Sequence, residues 1–152
     1  MISIVRDTRD SPHLQELVRL LDADLNNRYG ILQAQFDQYN SLASVDGAVI
    51  AYLDDEAIGC GCFRRSDAQT VEIKRMFVRP ENRGSGAARL LLVELEKWAV
   101  EAGFSRAILE TGIKQPEAIR FYKKSGYSKI DNYGQYAGME SSVCMGKSLS
   151  FS

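Results

Sequence analysis

Val78-Arg79-Pro80-Glu81-Asn82-Arg83-Gly84-Ser85-Gly86-Ala87-Ala88-Arg89-Leu90-Leu91-Leu92 reads as the end of a strand, a tight glycine turn and the start of a helix. Val71 to Val78 is apolar and β-branched enough for a strand, and Pro80, lacking an N–H, forbids its continuation as a central strand. After Ser85 the apolar residues Ala88, Leu91, Leu92, Leu95, Trp98, Ala99 and Ala102 recur at helical spacing, with Arg89, Glu96, Lys97 and Glu101 outside the stripe. Gly103 stands where a helix ends. No bulky side chain covers the first turn from Arg83 to Ala88, so its backbone N–H groups, the positive end of the helix dipole, stay open to a phosphate or pyrophosphate. Arg79 and Arg83 would add charge at the rim. A simple strand-to-helix turn accounts for the glycines alone equally well.

Length and composition narrow the class. The 152 residues suit a single domain, and 45% hydrophobic with 26% charged residues is an ordinary globular balance. A net charge of −1, with scattered lysines and arginines, opposes nucleic acid as a partner. The three cysteines, Cys60, Cys62 and Cys144, lack zinc or redox-pair spacing and read as reduced core thiols, so no metal is expected. Charges interrupt the N-terminal apolar run and no stretch is long enough to span a bilayer, which predicts a cytoplasmic protein without membrane contact. A homodimer is compatible with these numbers.

In chain order, Ile2 to Arg6 is a short strand. Ser11-Pro12 supplies an N-cap and an N1 proline for a helix carrying Leu14, Leu17, Val18 and Leu21, ending near Asp22. His13, the only histidine, falls in its exposed first turn and receives no role. Asp22 to Gly30 is polar and turn-rich, and Leu32, Phe36 and Tyr39 space a second, weaker helix. This region, Tyr29 included, is either substrate-contacting or a solvated connector. Ala48–Leu53, Ile58–Arg64 and Val71–Val78 follow as an antiparallel meander. In the last of these Val71 and Ile73 share one parity while Met76 and Val78 have slipped to the other. A β-bulge would realign them, and a strand buried on both faces would tolerate the slip. Ala107–Glu110 is a short strand expected to run parallel to Val71–Val78. Gln115-Pro116-Glu117 opens a helix with Ala118, Phe121, Tyr122 and Ser125 on one stripe, closed by Gly126. Tyr127–Asp131 and Ser142–Leu149 are the last strands, around a turn-rich Asn132–Gly138.

The glycine turn together with Ala118-Ile119-Arg120-Phe121-Tyr122-Lys123-Lys124-Ser125-Gly126-Tyr127 resembles the GNAT superfamily of acetyl-CoA-dependent N-acetyltransferases, over roughly Val71 to Ile130. The superfamily's pyrophosphate loop has Arg or Gln, two residues, Gly, one residue, then Gly or Ala; Arg83, Gly86 and Ala88 occupy those slots. Its late helix has Ala, Phe-Tyr and Gly-Phe, matched by Ala118, Phe121-Tyr122 and Gly126-Tyr127. Where many members have a coenzyme-contacting Asn, this chain has Gln115 followed by Pro116. The resemblance implies an α+β fold, with a mixed, mostly antiparallel sheet splayed between its fourth and fifth strands and about four flanking helices. It implies coenzyme contacts from Met76, Phe77, Val78, Arg83, Gly84, Ser85, Gly86, Ala87, Ala88, Gln115 and Phe121, and Tyr122 as the general acid.

Acetyl transfer to an amine, small-molecule or peptide, needs a base, because an amine of pKa near roughly 10 is protonated at neutral pH. Glu72 and Glu110, on the strands flanking the splay, are the candidates, each also placed to touch the acceptor, and Glu72 is preferred. Without the resemblance, Tyr122 would read as a core tyrosine. A non-catalytic acyl-CoA sensor is the alternative; a nucleotide-binding α/β module is opposed by the antiparallel meander.

Overall fold

Both faces of the central sheet carry a buried cluster. The computed structural model describes residues 1–29 and 42–150. Its elements are β1 (Ile2–Asp7), α1 (Pro12–Tyr29), β2 (Gly47–Leu53), β3 (Glu56–Arg65), β4 (Thr70–Val78), α2 (Ala87–Glu101), β5 (Arg106–Gly112), α3 (Pro116–Lys124), β6 (Ser128–Ile130) and β7 (Ser142–Ser148). They form one seven-stranded sheet in the order β1-β2-β3-β4-β5-β7-β6. All neighbours are antiparallel except β4 and β5.

Successive strand residues point to opposite faces. Ala48, Ile50, Cys60 and Cys62 pack under Leu14, Leu17, Val18 and Leu21 of α1. Val49, Ala51, Ile58, Val71 and Ile73 pack under Leu91, Leu92, Leu95 and Ala99 of α2. Gly61 lets α2 and β4 close on β3, since a Cβ there would lie 2.5 Å from Met76 Sδ and 2.8 Å from Leu95 Cδ1. The three cysteines are free and buried.

The parity slip in β4 is a bulge. Cys62 pairs with Lys74 but Cys60 with Phe77, so Arg75 and Met76 together oppose the single residue Gly61. Arg75 sits at φ +59°, left-handed for a side-chain-bearing residue. Beyond the bulge Phe77 joins the α1 face while Met76 and Val78 lie with the α2 face, as Val71 and Ile73 do. The parallel pairing of β4 with β5 runs from Thr70/Arg106 to Ile73/Leu109 and stops there. The two strands then splay, each continuing by several residues.

Three sequence expectations change. The first helix does not end near Asp22 but runs to Tyr29. Asp22 takes the Arg75 guanidinium at 2.6 Å and Leu25 packs against the α1-side core, so residues that read as turn formers are the solvated face of a longer helix. Glu96, placed outside the apolar stripe of α2, is 3% exposed. There it accepts the Tyr127 hydroxyl at 2.8 Å and the Lys147 ammonium at 3.0 Å. Ala102, placed on that stripe, is exposed. The expected second helix around Leu32, Phe36 and Tyr39 lies outside the described residues, which contain three α-helices.

Candidate active site

The glycine turn forms because two residues must adopt left-handed backbone. Gly84 and Gly86 have φ of +81° and +90°, and an added Cβ on either would meet nothing within 4 Å, facing open space instead of a packed neighbour. Pro80–Asn82 makes a single 3₁₀ turn before it. Ser85 braces the loop: its hydroxyl donates to the Asn82 carbonyl at 2.6 Å and accepts the Ala87 N–H at 3.4 Å. Gly86, at the N-cap of α2, contributes no side chain, so beyond Ala87 the first-turn N–H groups have no side-chain cap.

This helix start forms one wall of a cleft of about 810 Å³. Phe77 and Val78 of the splayed half of β4 and Ala118 and Phe121 of α3 form the others. Arg83 crosses the cleft's edge, its Nε donating to the Val78 carbonyl at 3.0 Å and its guanidinium 5.8 Å from the Phe77 ring. Arg89, Lys124 and Lys147 add positive charge to the lining.

Where β4 leaves β5, the cleft meets a smaller cavity of about 110 Å³. Leu21, Met76, Gln115, Ala118 and Tyr122 line both spaces. The smaller one adds Glu72, Lys74 and Arg75 from β4, Glu110 from β5 and Tyr136 from the segment between β6 and β7. Glu72 is 1% exposed, with Oε1 2.7 Å from Arg64 Nε and 3.9 Å from Lys74 Nζ, and Oε2 accepting the Tyr133 hydroxyl at 2.7 Å. Glu110 has a different environment. Burial pushes its pKa up to about 7, opposed by the Ser142 side chain and the charge of Lys74 and reinforced by Glu72. Burial lowers the Lys74 pKa, against the pull of Glu72. Burial and then the Glu110 charge raise that of Tyr122. Tyr122 is held by ring contacts with Phe121 at 5.1 Å and Tyr127 at 5.8 Å.

An open helix start, a splayed parallel pair and a carboxylate-lined cavity behind a buried tyrosine agree with a comparison of families: residues 14–127 match the Acetyltransferase (GNAT) family. The chain belongs to this family. The GNAT acyltransferase is 31% identical to the IAA acetyltransferase of Azospirillum brasilense, over 97% of this chain and 98% of that protein. It is 28% identical to the uncharacterized N-acetyltransferase YjgM of Escherichia coli K12, over 81% and 79%. A solved structure from Klebsiella pneumoniae subsp. pneumoniae, assigned as an acyl-CoA N-acyltransferase, superposes with a TM-score of 0.82 at 29% identity, covering 99% of both chains. A GNAT acetyltransferase from Elizabethkingia anophelis, solved with acetyl-CoA bound, shares the fold at a TM-score of 0.72 and 21% identity, over 97% of this chain and 98% of that one.

Against this GNAT frame, the residues expected at the coenzyme line the cleft: Met76, Phe77, Val78, Arg83, Gly84, Gly86, Ala87, Ala88, Gln115 and Phe121. Ser85 is not in that lining, because its hydroxyl is turned onto the loop's own backbone. Arg79, expected at the rim, points away instead. Its Nε donates to the Ala57 carbonyl at 2.9 Å and a terminal nitrogen lies 3.5 Å from Glu16. Gln115 accepts the Gly112 N–H at 3.2 Å through Oε1, which ties the end of β5 to the start of α3. Glu72, Glu110 and Tyr122 meet at one cavity. The Tyr29 side chain lies outside the described residues.

The sequence reading missed Tyr136, Tyr133, Lys74 and the cations Arg89, Lys124 and Lys147. Two aromatic residues in the turn-rich Asn132–Gly138 were an available hint, since solvated turns have little use for buried rings. Among the described residues, no cluster of three or more His, Cys, Asp or Glu side chains is placed to hold a metal. No described helix is long and apolar enough to cross a membrane.

Proposed function

We propose that this GNAT protein transfers the acetyl group of acetyl-CoA to a primary amine of a small molecule or peptide by direct attack. Glu110 is the base and Tyr122 the acid. The observation that carries this reading is the shared wall: Tyr122 lines both the long cleft and the carboxylate-bearing cavity. Acetyl-CoA and acceptor can therefore meet at its hydroxyl.

The cleft residues fit the coenzyme. Gly84 and Gly86 leave their Cβ positions open, so backbone N–H groups at the start of α2 can approach a pyrophosphate, with Arg83 and Arg89 supplying charge. Bound acetyl-CoA supplies an activated thioester. Met76–Val78, past the fork and unpaired on the β5 side, offer backbone N–H groups to the pantetheine arm and the thioester oxygen.

Glu110 takes a proton from the acceptor ammonium, freeing the nitrogen lone pair to form the N–C bond as the C–S bond breaks. Its pKa of about 7 keeps a useful fraction ionised at neutral pH while making it a stronger base than an ordinary carboxylate. Tyr122 gives its hydrogen to the departing sulfur and recovers one from the acylated nitrogen, which sheds its second proton as the amide forms; the products are amide and thiol, with one proton left on Glu110. Burial and the Glu110 charge raise the Tyr122 pKa, which keeps its hydrogen in place at neutral pH. Glu72, preferred from the sequence, is the weaker candidate because both its oxygens are already engaged, by Arg64 and by Tyr133.

The test follows free thiol released from acetyl-CoA across a panel of amines, with product mass as confirmation. IAA, which the similar protein of Azospirillum brasilense carries in its name, is tested beside the amines. Amine-dependent thiol release with an acetylated product is expected. Binding of acetyl-CoA with no turnover on any amine would favour an acyl-CoA sensor.

A further inference from the structure

We infer that Tyr133 and Glu72 form a latch that sets the acceptor end of the cavity, so that Glu72 is a positioning residue and Tyr133 governs which amine is accepted. The inference rests on the acyl-transfer reading above.

The segment between β6 and β7 is braced from within. The Asn132 side-chain amide donates to the carbonyls of Tyr136, Met139 and Ser142 at 3.2, 3.0 and 3.3 Å. Backbone bonds Tyr136 N–H to Tyr133 O, Met139 N–H to Tyr136 O and Ser142 N–H to Met139 O add three further ties. The Tyr133 and Tyr136 rings meet edge to face at 5.5 Å and pack with Ile130, Met139 and Cys144. Such a unit moves as a body. It carries Tyr136, 1% exposed, whose side chain lines the proposed acceptor cavity.

What ties this body to β4 is the Tyr133 hydroxyl, which donates to Glu72 Oε2 at 2.7 Å across 61 residues of sequence. The other carboxylate oxygen binds Arg64 Nε at 2.7 Å, and Arg64 is the cross-strand partner of Glu72 in β3. One carboxylate thus joins β3, β4 and the segment between β6 and β7. Burial and the adjacent Glu72 charge raise the Tyr133 pKa, which keeps it a donor. A hydrogen bond to a buried carboxylate is among the stronger kinds. With both oxygens held, one by Arg64 and one by Tyr133, Glu72 is placed as an anchor and not as a base. If the latch opens, Tyr136 loses its fixed position and the cavity accepts the amine only in the fraction of molecules still closed.

The experiment uses Tyr133→Phe, which removes the hydroxyl and keeps the ring. Amide hydrogen exchange of residues 132–142 should quicken about tenfold without any substrate present. With an amine from the screen, the acceptor KM should rise about tenfold, with kcat and the acetyl-CoA Kd within about twofold. Glu72→Gln should raise the acceptor KM while keeping the acidic limb of the pH–rate profile. Unchanged exchange in Tyr133→Phe overturns the latch whether or not turnover has been found. Faster exchange with an unchanged acceptor KM overturns the link to acceptor choice, and loss of the acidic limb in Glu72→Gln makes Glu72 the base. Faster exchange with no acetyl transfer to any amine leaves the latch standing and sinks the acyl-transfer reading instead.

Discussion

Tyr122 and Glu110 reach one cavity from opposite sides of the sheet, and burial, reinforced by the charge of Glu110, raises the Tyr122 pKa. Tyr122 packs with the α2-side core, whereas Glu110 follows Leu109, which faces that core, and so points to the α1 side. The fork lets them meet, since an unbroken β4/β5 ladder would separate the two faces. Tyr122→Phe keeps the ring contacts with Phe121 and Tyr127, so stability should change by no more than about 0.5–1.5 kcal/mol. If the hydroxyl protonates the leaving sulfur, kcat should fall about 10²–10⁴-fold with acetyl-CoA affinity retained. Thermal melting, titration calorimetry and kcat on one preparation decide it, and a near-normal kcat would remove Tyr122 from the chemistry.

Glu110 gives two pH signatures. Its pKa rises from 4.5 in the unfolded chain to about 7 in the fold, so between those values the folded state holds a proton that the unfolded state has released. Stability contributed by this group is therefore present below about pH 4.5 and lost as pH rises through about 7. At roughly 1.4 kcal/mol per unit the upper limit is about 3 kcal/mol. Glu110→Gln should flatten that slope and raise stability at pH 8, as read by urea unfolding across pH. The rate should follow the opposite course, with kcat/KM rising through an apparent pKa near 7 in the wild type and losing that limb in Glu110→Gln. Retention of the limb would show that another group takes the proton.

The fold was legible wherever one local pattern sufficed. The parity slip between Ile73 and Met76 marked the bulge, Pro80 ended β4, and Gly103 and Gly126 ended their helices in left-handed backbone. Long-range partnership was not legible. Asp22 reads as a turn former until Arg75, 53 residues away, takes its carboxylate. Glu96 reads as a surface residue until Tyr127 and Lys147 bury it. The site divided in the same way. The glycine-turn wall of the cleft is one contiguous stretch, and Arg83, Gly84, Gly86, Ala87 and Ala88 were expected there, whereas Arg89, Lys124 and Lys147 on its other walls were not. The cavity is assembled from α1, β4, β5, α3 and the β6–β7 segment, and pattern alone could not show that Glu72 would be consumed by Arg64 and Tyr133.

Gly86 and Gly103 make a matched pair for testing the loop. Their φ angles are +90° and +97°, neither would place a Cβ within 4 Å of another group, and they stand near opposite ends of α2. Valine at either position costs about 1–3 kcal/mol in backbone strain. Only Gly86→Val should also cover the first-turn N–H groups and lower acetyl-CoA affinity, by tenfold or more. Equal affinity losses in the two variants, measured by calorimetry on folded protein, would mean that strain and not the ligand explains them.

The last relationship to test joins α1 to the bulge. Arg75 adopts φ +59°, its side chain is 8% exposed, and its guanidinium binds Asp22 Oδ1 at 2.6 Å. A left-handed, non-glycine residue persists only where its surroundings over-determine it. The ion pair from α1 helps to do so, as does the Cys60 thiol directed at the Arg75 carbonyl at 3.3 Å. Asp22→Ala removes the ion pair and takes a carboxylate away from a largely buried cation, which costs more than losing an exposed pair would. Because the Asp22 side chain is 37% exposed, the loss is discounted to about 1–3 kcal/mol. That corresponds to a fall in Tm of roughly 2–12 °C for a chain of this size. The bulge also sets Met76–Val78 along the cleft, so acetyl-CoA affinity should fall with stability even though Asp22 makes none of the proposed pyrophosphate contacts. Arg75→Gly gives the opposite test of the backbone, since glycine accepts φ +59° without strain. It should lose the ion pair yet keep more coenzyme affinity than Asp22→Ala. If Arg75→Gly binds acetyl-CoA no better than Asp22→Ala, the side-chain contacts of Arg75 hold the cleft, and the conformation at the bulge does not.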